Sequence, residues 1–158
     1  MKITEFNRKD QAELAEFVLA IQNGEFKLGF STEEQPDLIN TEQFYKSGGF
    51  WIVREDGKII GSIGLQRLNS ECGILRKLFV DKEKRGSELN IAQRLFDRLL
   101  SEAQSLKLKY VILDTPSVAK ASHKFYLKNA FKEITKADIL YEFKYPERNS
   151  RLFRLTLN

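Results

Sequence analysis

The chain has 158 residues, 42% apolar and 30% charged, with a net charge of +4. That is the length of one ordinary domain with a real core, and the composition excludes a disordered chain. The longest apolar runs, such as residues 17–21, are about five residues, far below a bilayer span, so no membrane partner is expected.

The opening MKITEFNRKD lacks the apolar stretch of a secretory leader. Cys72 is the only cysteine, which precludes an internal disulfide and offers no metal-ligand spacing. A reducing cytoplasm is therefore the expected location, and no metal is expected. Charge is divided unevenly, −4 over the first sixty residues and +8 over the rest. A basic half suits a polyanion, either nucleic acid or a smaller phosphorylated cofactor. Its cations are spread rather than clustered, so no nucleic-acid partner is expected.

In chain order, residues 3–6 read as a short strand. A helix follows Asn7 or Asp10, with Leu14, Phe17, Val18 and Ile21 on one face, and Asn23-Gly24 reads as its stop. Residues 25–37 read as a polar loop, and a shorter helix is expected over 38–45. FWIVRE and KIIGSIGLQ flank Asp56-Gly57, the pattern of a tight hairpin. ILRKLFV, residues 74–80, adds a third strand in a row. A long helix is expected over 90–106, with Ala92, Leu95, Phe96, Leu99, Leu100, Ala103 and Leu106 inward. YVILD, residues 110–114, lacks alternation and suits a strand covered on both faces. A helix over 118–129 and two closing strands, FKEI and RLFRLTL, complete the order βααβββαβαββ. Hairpins and crossovers together predict a mixed α/β sheet with helices on both faces, in one domain over residues 1–158.

KRGSELNIAQRL, residues 84–95, carries the chemical question. A strand runs into a polar turn and then a helix, whose first turn has unpaired N–H groups and a positive dipole end suited to an anion. Gly86 permits backbone conformations that let successive N–H groups converge, and Asn90 is a good N-cap type. Lys82, Lys84 and Arg85 add positive charge at the rim. Taken alone, the stretch fits an ordinary capped helix start as well as a phosphate loop.

The second segment that matters is SHKFYLKNAFKEI, residues 122–134. LFVDKEKRG, NIAQRLFDRLL and FYLKNAF, in that order and spacing, resemble the GNAT superfamily of acyl-CoA-dependent N-acetyltransferases. The family's loop pattern is [QR]-x-x-G-x-[GA], and its later helix carries A-x-x-[FL]-Y-x-x-x-G-F. The resemblance covers essentially the whole chain and implies a GNAT-like fold. Departures are specific. Two extra residues follow Gly86, Asn90 replaces a glycine, and Glu83 replaces the leading Gln or Arg and is expected to point outward. Ala130 replaces the glycine of the G-F turn, and Ala119 stands where a cofactor-contacting Asn is frequent.

What the resemblance implies is acetyl transfer from acetyl-CoA directly to a primary amine of a small molecule or peptide. The strand ending Leu78-Phe79-Val80 would pair with the pantetheine arm. Arg85, Gly86, Ser87, Glu88, Leu89 and Asn90, with Ile91 and Ala92 opening the helix, would hold the pyrophosphate. Tyr126 is the candidate acid for the leaving thiolate, because a phenol with a pKa near ~10 stays protonated at neutral pH; its other reading is a buried aromatic. The family's frequent strand Glu corresponds to Ile74 here, which leaves Glu71 as the substitute base or as a solvated turn residue. His123 reads as a helix-surface residue and Cys72 as a small buried one. The acceptor pocket is expected from the N-terminal helices, the Phe50-Trp51 hairpin and the loop 135–150, whose Tyr141, Phe143 and Tyr145 form either a wall or an edge strand. Glu25, Glu33, Glu34 and Asp37 are either an attractor for a cationic amine or a solvated acidic face. A non-catalytic acyl-CoA-binding or regulatory module is the alternative reading, and homodimer formation stays open.

Overall fold

Asp56 and Gly57 both take positive φ, 51° and 79°, as a two-residue hairpin turn that matches the right-handed twist of its strands requires. They join β2 (Gly49–Glu55) to β3 (Lys58–Arg67), and β4 (Cys72–Val80) follows antiparallel to β3. A computed structural model supplies the geometry, and it describes residues 1–86, 88–145 and 149–158. With β1 (Lys2–Glu5), β5 (Tyr110–Pro116), β6 (Lys132–Ile134) and β7 (Ser150–Thr156) the sheet has the order β1-β2-β3-β4-β5-β7-β6. Among the described residues its one parallel pair is β4 with β5. The mixed sheet and element order agree with the expectation.

Alternation along the strands divides the core in two. Ile63, Leu65, Leu75, Val111, Leu113 and Phe153 pack on one face against Ile91, Leu95, Phe96 and Leu99 of α4 (Ile91–Ser105) and Tyr126 of α5 (Lys120–Lys128). On the other face Phe50, Ile52 and Ile59 meet Leu14 and Val18 of α1 (Gln11–Leu19) and Leu38 of α2 (Pro36–Ile39). Further along that face, Cys72, Ile74 and Ile112 lie under Tyr141 and Phe143.

Three local expectations are corrected. Asn23-Gly24 does not stop the first helix, which widens into a π turn over Ala20–Glu25. Asn23 instead closes the loop beyond it, donating to the Phe30 carbonyl at 2.8 Å and accepting from its N–H at 2.7 Å. The helix expected over 38–45 is two short pieces, α2 and α3 (Thr41–Phe44), broken at Asn40, whose side chain accepts from the Gln43 N–H. Residues 139–145 form no strand.

The feature that shapes the site is a β-bulge. Ser62 opposes Phe79 and Gly64 opposes Arg76, so Lys77 and Leu78 together oppose Ile63. Lys77 takes φ 57°, a left-handed conformation that costs an L-residue about 1–2 kcal/mol. Two contacts hold it there. The Ser62 hydroxyl donates to the Lys77 carbonyl at 2.8 Å, and the Lys77 ammonium meets the Asp37 carboxylate at 3.1 Å. Bulges bend a strand and interrupt pairing. Here pairing of β4 with β5 is confined to Cys72–Ile74 with Tyr110–Ile112, after which the strands part.

Candidate active site

The parting strands open a cavity of about 510 Å³. Leu75 to Val80 of β4 form one side, and Asp114, Thr115 and Pro116 of β5 the other. Ala119, Phe125 and Tyr126 close it from α5 and its approach, and Gln22, Phe26, Leu28 and Phe30 from the π turn and following loop. Beyond Ile74 the β4 edge toward β5 has no strand partner among the described residues. Its N–H and C=O groups are therefore open to an extended ligand laid alongside as an added strand.

Of the cofactor residues expected from sequence, Leu78, Phe79, Val80, Arg85 and Ala92 line the cavity. Gly86, Glu88, Leu89, Asn90 and Ile91 lie in the loop and helix start without lining it, and Ser87 lies outside the described residues. Gly86 takes φ 122°, which favours glycine, and its carbonyl accepts from the Asn90 N–H at 3.1 Å. Asn90 is left-handed at φ 56° and makes no side-chain cap, so it replaces glycine through backbone tolerance instead of capping. Ala130, where the family pattern has glycine, takes φ 71° in the turn after α5, a left-handed conformation that costs an L-residue about 1–2 kcal/mol. Glu83 is exposed, as expected.

The cations at the rim are largely neutralised. Arg85 forms a bidentate pair with Glu25 at 2.6 and 2.7 Å and donates through Nε to the Val80 carbonyl. That pair, chiefly through its hydrogen bonds, holds the Glu25 carboxyl below the usual carboxylate range. Lys84 pairs with Glu55 at 2.5 Å. Asp37 is buried, accepting from the Tyr45 hydroxyl at 2.6 Å besides meeting Lys77. Burial first, and then Asp37, raise the Tyr45 phenol well above its ordinary value. Glu25 and Asp37 therefore hold the cavity wall together and do not form an acidic surface. Phe50 and Trp51 are core residues and do not line the cavity.

Tyr126 is buried among Phe125, Phe131 and Phe153, and its hydroxyl makes no hydrogen bond among the described residues. Burial and then the Asp114 charge raise its pKa, so the phenol keeps its proton. Asp114 was not singled out from the sequence. Its carboxyl is half-buried, lines the cavity and accepts no bond from another side chain among the described residues. Burial raises its pKa, while Arg76 and Lys77 oppose the rise. Gly-free YVILDTP looks like plain core strand; the one available signal was a carboxylate closing an apolar run.

Glu71 is not brought to this site. It sits before the far end of β4, accepts from the Tyr141 hydroxyl at 2.9 Å, lies 3.7 Å from Lys109, and does not line the cavity. His123 is buried rather than on the helix surface, with Nε2 3.0 Å from the Pro116 carbonyl and Nδ1 2.9 Å from Arg151. Burial, the largest influence, lowers its pKa. Cys72 is buried, and loss of solvent pushes its thiol up to about 11, which suits an unreactive packing residue. Tyr141 and Phe143 cover the sheet beside the cavity without lining it.

Among the described residues no group of His, Cys, Asp or Glu has the arrangement of a metal site, and no helix is long and apolar enough to cross a membrane. Comparison with known proteins agrees with the geometry. A solved acetyltransferase from Streptococcus agalactiae 2603 is 34% identical, with 99% of this chain and 98% of that one covered at a TM-score of 0.93. A GNAT family acetyltransferase from Elizabethkingia anophelis, solved with acetyl-CoA bound, shares the fold at 16% identity and a TM-score of 0.58, covering 78% of this chain and 85% of that one. The probable N-acetyltransferase camello of Xenopus tropicalis is 25% identical over 102 residues, which is 61% of this chain and 46% of that protein's length. The chain thus spans about half of that curated relative. The model of the acetyltransferase (GNAT) family matches residues 15–131, and the chain belongs to that family.

Proposed function

We propose that the chain transfers an acetyl group from acetyl-CoA directly to a primary amine, with Asp114 as base and Tyr126 as acid. The observation that carries this reading is the gap between β4 and β5. It offers an unpaired strand edge, and Tyr126 and Asp114 line the same opening.

The pantetheine arm of the cofactor pairs with the free β4 edge around Leu78 to Val80. The loop through Gly86 and Asn90 receives the pyrophosphate by its backbone N–H groups. No metal is needed for thioester aminolysis. An alkyl ammonium gives a proton to the Asp114 carboxylate, and the freed amine attacks the thioester carbonyl carbon. The resulting oxyanion is met by backbone N–H groups at the β4 bulge. As the intermediate collapses the C–S bond breaks, the thiolate takes the Tyr126 proton, and the tetrahedral nitrogen loses its second proton to solvent. Asp114 and Tyr126 are coupled in a useful sense. Once Asp114 is protonated, one of the two causes that weaken Tyr126 as an acid is gone.

The test is release of free CoA thiol from acetyl-CoA across a panel of amines, alongside thermal melting with acetyl-CoA. Turnover with at least one amine and a saturable rise in melting temperature support the reading. Stabilisation by acetyl-CoA without turnover on any amine favours the non-catalytic binding module. No stabilisation overturns both.

A further inference from the structure

Four cations and two carboxylates line the cavity: Arg76, Lys77, Arg85 and Lys120, with Glu25 and Asp114. Most are accounted for by partners in the fold. Arg85 is clamped by Glu25, Lys77 is paired with Asp37, and Lys120 is exposed where α5 begins. Arg76 and Asp114 remain, and neither forms an ion pair among the described residues.

Their placement follows from the register. Ile74 and Ile112 are the last matched residues of the parallel β4–β5 pair. Two positions further on each strand, side chains return to the same face, which puts Arg76 and Asp114 across the opening from each other. The parting of the strands keeps them from closing on one another, while their charges still act on each other. Arg76 is also held in orientation. Its Nε donates to the Gln66 side chain at 2.9 Å and its Nη2 to the Lys144 carbonyl at 2.6 Å. Both partners are neutral, and the Nη1 edge makes no bond among the described residues. A guanidinium in a cavity wall, anchored by neutral acceptors and with one edge unbonded among the described residues, is arranged to receive a planar anion.

We propose that the acceptor is a free amino acid, a zwitterion whose ammonium meets Asp114 and whose carboxylate meets the open edge of Arg76. The inference rests on the acetyl-transfer reading above and narrows its substrate class. Binding such a molecule gives each half-buried charge a partner in one event. A simple amine, or an amino acid capped as its amide, leaves the guanidinium without an anionic partner, and sites built on a polar partner reject analogues that lack it. The arrangement also orients the amine, because the carboxylate fixes one end while Asp114 fixes the other.

The experiment compares protein amino acids with their α-amides as acceptors, reading thiol release from acetyl-CoA with the wild-type chain and with Arg76→Gln. For the best amino acid, the expected kcat/KM is at least ~10-fold above that of its amide. In Arg76→Gln that preference collapses to within ~3-fold, while acetyl-CoA still raises the melting temperature. The wild-type ratio decides alone if Arg76→Gln loosens the segment around Lys144. An amide accepted as well as its acid, a preference unchanged in Arg76→Gln, or turnover confined to polyamines or peptides each overturns the amino-acid acceptor and leaves acetyl transfer standing. Absence of turnover on every amine, with no effect of acetyl-CoA on melting, removes both readings together.

Discussion

Replacing Asp114 by Asn separates stability from chemistry, because the two should move in opposite directions. Asp114 is a half-buried carboxyl whose pKa is raised by burial, with Arg76 and Lys77 only partly compensating. A carboxyl with a folded-state pKa above its unfolded value makes the folded state bind more protons between those two values. Stability therefore falls as pH rises through that window, and the cost is fully present above it. Asn removes the charge and keeps the shape. The expected gain is about 1 kcal/mol, or ~2–4 °C in melting temperature for a chain of this size. The gain should shrink as pH drops from above that window toward the ordinary carboxylate pKa, and should be absent below it. Activity should fall instead: a positioned general base contributes about 10²–10⁴ in rate, some 3–5 kcal/mol of transition-state stabilisation. The wild-type pH profile of kcat/KM should have an acid limb above the usual carboxylate pKa, and the variant should lack it. Melting scans across pH and steady-state thiol release measure both effects. An Asp114→Asn protein with kcat/KM within ~3-fold of wild type, or with the acid limb intact, would refute the base assignment.

Three further outcomes are expected. Tyr126→Phe should lower kcat by about 10²-fold or more while leaving the acetyl-CoA-induced melting shift in place, since the ring keeps its packing and only the proton donor is lost. Asp37→Asn leaves the largely buried Lys77 side chain without its counter-charge and should destabilise the chain by about 2–3 kcal/mol in denaturant titrations. Glu71→Gln should change stability by less than about 1 kcal/mol and leave thiol release unaltered, because its partners Tyr141 and Lys109 lie outside the cavity.

The contrast between Asp56-Gly57 and Lys77 shows how far the sequence could be read. A hairpin turn is decided by two adjacent residues, so its φ requirement is visible as Asp-Gly. The bulge at Lys77 has no such local signature; it is held by Ser62 and Asp37, fifteen and forty residues earlier. The cavity depends on that bulge and on where β5 stops pairing, so its outline was hidden even though both strands were expected. Asp114 was missed for the same reason: a carboxylate at a strand end gains meaning only when the neighbouring strand swings away. The place of Tyr126 on the cavity wall was legible because its helix and following turn form one contiguous pattern. Charge sign was equally legible, but partner choice was not. Glu25 and Arg85 meet across sixty residues, so Glu25, read as either an amine attractor or part of a solvated acidic face, is instead a clamp on the loop that follows β4. His123 was misjudged although it lies one turn before Tyr126 on the same face of α5; both rings pack against Phe153 of β7, and Arg151 meets the His123 Nδ1.

Transfer of label tests the central claim most directly. The chain is incubated with acetyl-CoA labelled in the acetyl group and a mixture of primary amines that includes amino acids, polyamines and peptides, and the products are followed by mass spectrometry alongside free thiol. Labelled N-acetyl amino acid formed in equal amount to the thiol is the predicted result. Label released only as acetate, or remaining entirely on the cofactor, would contradict it.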